Sequence, residues 1–352
     1  MIRQLTYFLA CALLANPVFA SLRFRPDGSF KIVQFADLHY AEGETSGCKN
    51  MLPAWAAAGP CSDLNTTQFM GEVLDLEKPD VVAMTGDNCI GSSNNTKSQR
   101  AWRVPMEERN VPWFSMLGNH DAQGTLDRAG LIRVDMESPL SLTQPGPKGL
   151  YGEGNYAHQV FSSDGTKPLF NLFAMDSGAG ADSPSGYDWI HPDQVAWFKQ
   201  ENERLGTSIP AILFFHIPVE EYDTAWPFGG ACASDECVGV HKEGVSMQGK
   251  NVGLFEIASQ AGNVKMINIG HDHDNDYCAL YKGMQLCYGG GTGYHAYGSV
   301  GWPRRSRVLE LKEDGTISSF KRLDRFGNYS KIDEEVIWSP TLASAAQHAT
   351  SK

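Results

Sequence analysis

Five short polar clusters combine aspartate, asparagine and histidine, and each directly follows an apolar run. They are Asp37-Leu38-His39, Gly86-Asp87-Asn88, Gly118-Asn119-His120-Asp121, His216 and His271-Asp272-His273. Carboxylate, amide and imidazole groups are ligands that zinc, iron and manganese accept from proteins. In open α/β sheets, ligands bind beyond the carboxyl ends of the strands. We therefore expect the five clusters to converge on one site.

Each cluster taken alone has an ordinary structural explanation. A single histidine at a strand end, such as His216, is commonly a hydrogen-bonded core residue. Asp87-Asn88 has the composition of a turn, and Asn119-His120-Asp121 could cap a helix. His271 and His273 could lie in a solvated loop. The occurrence of all five clusters after apolar runs favours a shared metal site.

Strands and helices that alternate along the chain must position these clusters. Apolar runs predict strands at Lys31–Ala36, Val81–Thr85, Trp113–Leu117, Leu169–Met175, Ala211–Phe215, Val264–Ile269 and Arg307–Leu311. Helical patterns cover Thr66–Glu77, Lys97–Arg109, Pro192–Leu205 and Val252–Ala261. The stretches 138–155, 177–186 and 222–250 are predicted to be loops. This alternation predicts an α/β architecture.

Glycine precedes three of the clusters, at Gly86, Gly118 and Gly270. Because glycine lacks a side chain, it would let the backbone turn sharply and approach the centre closely.

The composition narrows the class of protein. The chain has 352 residues, 42% of them hydrophobic, and a formal net charge of −12. These values are typical of a globular protein, and the acidic balance argues against nucleic-acid binding through a basic face. We expect one catalytic domain over residues 21–339 and a flexible tail over 340–352.

The first twenty residues read MIRQLTYFLACALLANPVFA. A basic start, an apolar stretch and a small-x-small ending predict a signal peptide over residues 1–20, cleaved after about Ala20. A buried helix or a membrane anchor is the alternative, but the apolar stretch is too short to span a bilayer. No later segment is long enough for a transmembrane anchor. We therefore expect a protein of the secreted or endomembrane-lumen compartment.

Cysteine usage and glycosylation sequons agree with that compartment. The sequons begin at Asn65, Asn94 and Asn328. Cysteine spacing suggests local disulfides, although spacing alone cannot fix the connectivity. The suggested pairs are Cys48–Cys61, Cys232–Cys237 and Cys278–Cys287, which leave Cys89 as a buried free thiol.

The order D-x-H, G-D-N, G-N-H-D, a single histidine and G-H-D-H resembles the calcineurin-like metallophosphoesterase superfamily. The stretches FADLHYAEG, EKPDVVAMTGDN, GYDWI, FFHIP, GHDHDNDYC and LCYGGGTGYHAYG resemble small purple-acid-phosphatase-like proteins of plants and their fungal relatives. The resemblance covers roughly residues 28 to 335. It implies a four-layer αββα sandwich with mixed sheets and a metal site at the carboxyl ends of the strands.

The resemblance also implies a centre of two divalent or trivalent metal ions, with iron, zinc and manganese as candidates. Its implied ligands are Asp37, His39 and His273 for the first ion, Asn119, His216 and His271 for the second, and Asp87 as the bridge. His120 matches the catalytic histidine that protonates the leaving oxygen. Asp121 is grouped with it, and Asp121 and Asp272 are expected to orient imidazoles from behind the ligands.

The implied activity is hydrolysis of phosphate monoesters by attack of a metal-bridging hydroxide. Phosphodiester hydrolysis on the same site and a catalytically silent metal-binding protein are the alternatives. A phosphorylated small molecule is the expected partner. Its predicted contacts are Asn119, His120, His216, Tyr294 and His295, of which Tyr294 has a packed structural tyrosine as its alternative.

The sequence departs from the purple enzymes at one ligand. In those enzymes, a tyrosine three residues after the bridging aspartate binds ferric iron and gives the colour. Here Asp87 is followed by Asn88, Cys89 and Ile90. We therefore predict a protein that is not purple, and the identities of both metals stay open.

Overall fold

The computed structural model describes residues 21–41, 47–56, 62–90, 94–234 and 236–341. The predicted signal peptide, Cys61 and the tail from residue 342 lie outside these ranges, so the Cys48–Cys61 pair and the terminal segments stay predictions. Within the described ranges, no helix combines the length and apolar character needed to cross a bilayer.

The described residues form thirteen strands in two mixed sheets. The strands are β1 (Ser29–Phe35), β2 (Val81–Thr85), β3 (Trp113–Met116), β4 (Tyr156–Phe161), β5 (Pro168–Ala174), β6 (Ala211–Phe214), β7 (Cys237–Val238), β8 (Val264–Ile269), β9 (Cys278–Tyr281), β10 (Met284–Tyr288), β11 (Arg305–Lys312), β12 (Ile317–Leu323) and β13 (Lys331–Trp338). The first sheet has the order β13-β12-β11-β1-β2-β3, and the second has the order β4-β5-β6-β8-β10-β9-β7. Strands β1, β2 and β3 are mutually parallel, as are β5, β6, β8 and β10.

Within the described ranges, eight α-helices accompany the sheets. They are α1 (Pro53–Ala56), α2 (Asp63–Glu77), α3 (Asn95–Trp102), α4 (Val104–Glu108), α5 (Arg128–Asp135), α6 (Pro192–Leu205), α7 (Glu221–Ala225) and α8 (Leu254–Ala261). Helix α2 begins with a capping box: the Ser62 side chain accepts a hydrogen bond from the helix backbone, and the Asn65 side chain accepts one from the backbone N–H of Ser62.

Alternation along the strands builds the layers. In β2, Val81 and Ala83 face the second sheet, while Val82 and Met84 face the helices α2 and α4. Residues of α6 and α8, such as Phe198 and Leu254, cover the outer face of the second sheet. The structure thus confirms the predicted four-layer αββα sandwich.

The predicted strands are all present, and β2 and β8 have the predicted bounds. The single helix predicted over Lys97–Arg109 is wrong, because the segment forms α3 and α4 with a break at Arg103. Pro105 lacks the N–H that a continuous helix would need there, and its ring would clash with the preceding turn. The predicted loop 222–250 is corrected too, since it contains most of α7 and the short strand β7.

Two predicted disulfides are present. Cys232 pairs with Cys237, and Cys278 pairs with Cys287 between the adjacent strands β9 and β10. Cys89 is a buried free thiol, as predicted.

Candidate metal centre

Parallel strands of both sheets end at the same edge and bring the polar clusters together. In the first sheet, β1, β2 and β3 lead into Asp37 and His39, into Asp87, and into Asn119 and His120 respectively. In the second sheet, β6 leads into His216, and β8 leads into His271 and His273. The five clusters therefore meet at the seam between the sheets.

Six of these side chains form two groups with the spacing of metal ligands. Their candidate ligand atoms lie within 4.8 Å of one another inside each group, and all six residues are buried. One group is Asp37, His39 and His273, and the other is Asp87, His216 and His271. Each group combines side chains from both sheets. His39 Nε2 also lies 3.5 Å from Asp87 Oδ2, which connects the groups.

The donor set around His216 fits a cation. His216 Nδ1 lies 2.8 Å from the carbonyl oxygen of Thr85, so this nitrogen must carry the ring proton of a neutral imidazole. The lone pair on Nε2 then faces Asp87 Oδ2 at 3.3 Å and Asn119 Oδ1 at 3.1 Å, which are both acceptors. Acceptors that converge in a buried space need a positive charge between them, which either a proton on Nε2 or a metal ion can supply. The arrangement therefore fits a metal ion, which would take the place of that proton.

The group around His273 repeats the pattern. Its Nδ1 donates to the carbonyl oxygen of Tyr297 at 3.0 Å. Its Nε2 therefore faces Asp37 Oδ1 at 3.4 Å and His39 Nε2 at 3.2 Å. Both groups fit a metal, and the backbone carbonyls of Thr85 and Tyr297 set the orientation of the two rings.

Burial and mutual charge interactions shift the pKa values of the aspartates and histidines in the centre. Burial opposes ionisation of Asp87, yet the neighbouring His216 and His39 hold its pKa well below the usual range. Burial likewise disfavours the imidazolium of His216, but the charge of Asp87 outweighs it and raises the pKa of His216 to about 9. Burial lowers the pKa of His39 to about 3. The Asp87 carboxylate is thus ionised at neutral pH and available to a cation.

The ligand loops adopt an unusual backbone. Asp37, His39, Asp87 and His271 all have positive φ angles, between 50° and 83°. Residues other than glycine rarely adopt this region, and it is maintained where the surrounding structure fixes it. Such strain is concentrated at functional sites in proteins.

Two glycines allow the loops to approach each other. A methyl group on Gly118 would overlap Asp87 Oδ1 and the backbone of Asp87. A methyl group on Gly86, whose φ is +90°, would lie 2.6 Å from His216 Nδ1. The structure therefore bears out the close approach predicted for glycine before these clusters.

A cavity of about 200 Å³ opens onto both groups. Its lining residues are His39, Lys49, Asp87, Ile90, His120, Tyr187, Ser246, His271, Asp272, His273, Ala296 and Tyr297. His120 is half-buried, and its ring centroid lies 5.3 Å from that of His39. The backbone N–H of His120 donates to Asp87 Oδ1 at 2.8 Å, and its Nδ1 lies 2.9 Å from Gln123 Oε1.

Asp121 and Asp272 differ from the expectation that they orient imidazoles. Asp121 accepts backbone N–H groups of Cys89 and Gly118, both at 2.7 Å, and so ties two ligand loops together. Burial and the charge of Asp87 raise the pKa of Asp121 to about 6. Asp272 accepts the Tyr288 hydroxyl at 2.6 Å. Asp121 does not line the cavity, whereas Asp272 does.

The structure does not bring Tyr294 and His295 to the cavity wall. The buried hydroxyl of Tyr294 donates to Asp324 Oδ2 at 2.7 Å, as expected of a packed structural tyrosine. His295 Nδ1 lies 3.2 Å from the carbonyl oxygen of His39, behind that ligand. Just before them, Gly293 passes so close to Leu38 that a methyl group there would overlap the Leu38 carbonyl oxygen.

Several residues of the cavity wall, among them Tyr297, Tyr187 and Lys49, were not identified from the sequence. Tyr297 stacks on His273 with ring centroids 3.9 Å apart, and Tyr187 meets His271 edge to face at 4.6 Å. Both tyrosines belong to stretches that carry the family resemblance, so the sequence contained a pattern that could have pointed to them. Lys49 lies in a loop with no motif, and no pattern pointed to it.

Comparison with known proteins defines the class. Residues 30–275 match the calcineurin-like phosphoesterase family, and the chain belongs to it. The chain is 38% identical over 369 residues to the "Probable inactive purple acid phosphatase 29" of Arabidopsis thaliana, covering 94% of this chain and 92% of that protein.

A yeast relative and a solved structure extend the comparison. The chain is 34% identical to "Phosphatase DCR2" of Saccharomyces cerevisiae, over 85% of this chain and 54% of that protein. A dimetal phosphatase from Danio rerio has the same fold, with a TM-score of 0.59 and 14% identity, over 88% of this chain and 99% of that one.

Proposed function

We propose that the protein hydrolyses phosphate monoesters at a centre of two metal ions, with His120 assisting the leaving group. The observation that carries the proposal is the convergence of buried acceptor atoms on two adjacent positions beneath a cavity that His120 also lines. The proposed ligands are Asp37, His39, Asp87, Asn119, His216, His271 and His273. Iron, zinc and manganese each suit this mixture of carboxylate, amide and imidazole.

Two bound ions would supply an acidified water as nucleophile and neutralise charge on the phosphoryl oxygens. The Asp87 carboxylate, which contacts residues of both groups, would be a ligand common to both ions, and it also accepts the backbone N–H of His120. This bond fixes the backbone of His120 relative to the centre. Nδ1 donates to Gln123 Oε1, so in the imidazolium form Nε2 carries the second ring proton, which it would give to the leaving oxygen and become neutral.

Two alternative functions compete with this proposal. Phosphodiester hydrolysis would use the same ligands and differ only in the cavity walls. A silent metal-binding protein is suggested by the word "inactive" in the name of the Arabidopsis relative, whereas the yeast relative is named a phosphatase. His120 on the cavity wall favours catalysis, because a silent protein has no use for an acid there.

Turnover of a chromogenic monoester and diester, with metal analysis of each preparation, tests the proposal. Relative to wild type, His120→Ala should keep its metal and lose about 10²- to 10⁴-fold in kcat. His241→Ala, which changes a histidine outside the centre, is the matched control. Equal activity in His120→Ala would refute its role. Bound metal without turnover of either ester by the wild type would support the silent reading.

We further infer that the protein resides in the secretory pathway or outside the cell. The two disulfides support an oxidising compartment. Expression with the native first twenty residues, followed by sequencing of the mature N-terminus, tests the predicted cleavage after about Ala20. An unprocessed N-terminus would refute it.

A further inference from the structure

Lys49 occupies a fixed place at the cavity. Its backbone N–H donates to the carbonyl oxygen of Tyr294 at 3.0 Å, and its own carbonyl accepts from Arg304 Nη2 at 3.0 Å. Both anchors belong to the segment that passes behind His39 and then forms the cavity wall at Ala296. The loop therefore holds the base of this lysine side chain in place beside the centre.

The charge of Lys49 has no counterpart in the described part of the chain. Among the described residues that line the cavity, it is the sole lysine or arginine. None of the described carboxylates forms an ion pair with it, and the side chain is exposed. Most other cationic groups near the centre differ in this respect; Arg128, for example, pairs with Asp176.

Among the described residues, Lys49 has no carboxylate partner beside the centre. Two carboxylates, Asp37 and Asp87, against two divalent ions would leave about two positive charges. Those charges would repel a further cation on the wall, and an anionic group between them would offset the repulsion. Since the ions would bind the phosphoryl group, the anion for Lys49 would come from another part of the substrate.

The residues that line the cavity indicate which part of the substrate would carry this anion. His120, the proposed acid for the leaving oxygen, lines the cavity together with Lys49 and Ile90. The alcohol portion of an ester must extend past His120, and it would then reach the wall that carries Lys49. The cavity, at about 200 Å³, is smaller than pockets for drug-sized ligands and fits a compact alcohol.

We propose that Lys49 determines specificity by binding a second anionic group on the alcohol portion of a small phosphomonoester. The proposal rests on the proposed function for the position of the phosphoryl group. The second anion is a carboxylate or a second phosphate, since an ammonium on a flexible stem binds either.

Binding of non-hydrolysable phosphonates separates this proposal from the question of turnover. Protein loaded with Zn²⁺ or Mn²⁺ is titrated calorimetrically with carboxyalkylphosphonates that have one to three methylenes between the acid groups. Each is paired with the alkylphosphonate that has methyl in place of carboxylate, and alkylene bisphosphonates form a second arm. The variants are Lys49→Ala, Lys49→Arg and, as control, Lys199→Ala on the exposed face of α6.

The wild type should bind at least one dianionic probe about fivefold to tenfold more tightly than its alkyl pair, as expected of one charge-assisted hydrogen bond. Lys49→Ala should abolish this preference without weakening the alkyl probes, whereas Lys49→Arg and Lys199→Ala should retain it. The probe series with the larger preference, carboxyalkylphosphonates or alkylene bisphosphonates, identifies the second anion as a carboxylate or a phosphate.

Two results would overturn the proposal. One is the absence of any preference in the wild type, and the other is an equal loss for both probe classes in Lys49→Ala, which would assign Lys49 to the phosphoryl group. Preference in binding without turnover of any ester would refute the proposed hydrolysis and leave the specificity of Lys49 intact. Failure of the loaded protein to bind any phosphonate would refute both.

Discussion

His39 and His273 face each other across the seam between the sheets, with their Nε2 atoms 3.2 Å apart and 234 positions between them in the sequence. Because His273 Nδ1 donates to Tyr297, its Nε2 presents a lone pair to the facing ring. Without a metal, His39 Nε2 can donate its N–H to that lone pair; with a metal, both nitrogens would present lone pairs to the ion. Because the two rings come from different sheets, a metal bound between them would crosslink the sheets.

Removal of metal should destabilise the protein. A ligand present at about 100 times its dissociation constant contributes about 2.7 kcal/mol, so chelation should lower the melting temperature by roughly 5 °C or more. Thermal melts with and without chelator, and after adding the metal back, measure this. His273→Ala should bind less metal than wild type. A chelator-insensitive wild type would contradict the assignment.

Gly118→Ala should disrupt the centre. The added methyl group overlaps the Asp87 carboxylate, and the backbone there cannot shift without moving Asn119. We expect loss of bound metal and a decrease of at least tenfold in any phosphoesterase activity. Gly244→Ala, where a methyl group would meet open space, is the control. A Gly118→Ala protein with full metal content would show that the loops are more adaptable than we infer.

Glu335 should make stability depend on pH. Burial raises the pKa of this carboxyl to about 7, although Arg307 and Lys321 act in the opposite direction. Between pH 4.5 and 7, the folded state keeps a proton that the unfolded chain has lost, so the free energy of unfolding falls as pH rises through this window.

Glu335→Gln should therefore be more stable than wild type at pH 8, by roughly 1–3 kcal/mol, and no more stable at pH 4. Urea denaturation at the two pH values measures the difference. The exposed neighbour provides the control Glu334→Gln, which should show no such change. A stabilisation that is equal at both pH values would point to packing instead of ionisation.

The iron-loaded protein should show no tyrosinate-to-iron absorption band. Ile90 stands three residues after Asp87 and lines the cavity with an apolar side chain. The Tyr297 hydroxyl donates to Glu243 Oε2 at 2.9 Å and is therefore engaged elsewhere. A visible spectrum of protein reconstituted with ferric iron tests this. A purple protein would require a tyrosine ligand that we have not identified.

The three sequons should differ in glycosylation. Asn65 is buried in the first turn of α2, where its Oδ1 accepts from the backbone of Ser62. Asn94 and Asn328 are exposed. Mass spectrometry of protein secreted from a eukaryotic host should therefore find glycans at Asn94 and Asn328 and none at Asn65. A glycan on Asn65 would require a different start for α2.

The buried strands were predictable because their sequences are continuous apolar runs. Strands β2 and β8 are covered on both sides, and their predicted bounds match the structure. Strand β13, with the sequence KIDEEVIW, lies at a sheet edge and carries several charges, so it has no such run. Its place depends on pairing with β12, which local sequence does not encode.

The candidate ligands could also be identified from the sequence, since each lies within four residues of a strand end. The cavity walls could not. Tyr294 is bound to Asp324, and His295 lies against the carbonyl oxygen of His39, more than 250 positions earlier in the chain. Lys49 reaches the cavity through backbone bonds to Tyr294 and Arg304. Contacts between distant segments decide these orientations.

Each metal group takes side chains from both sheets, and this has a consequence for biosynthesis. Asp37 and His39 leave the ribosome early, but their partner His273 follows more than 230 residues later. No partial chain that ends before β8 can assemble either site. If the proposed centre binds metal, metal uptake would report that synthesis has passed β8 and that the two sheets have come together.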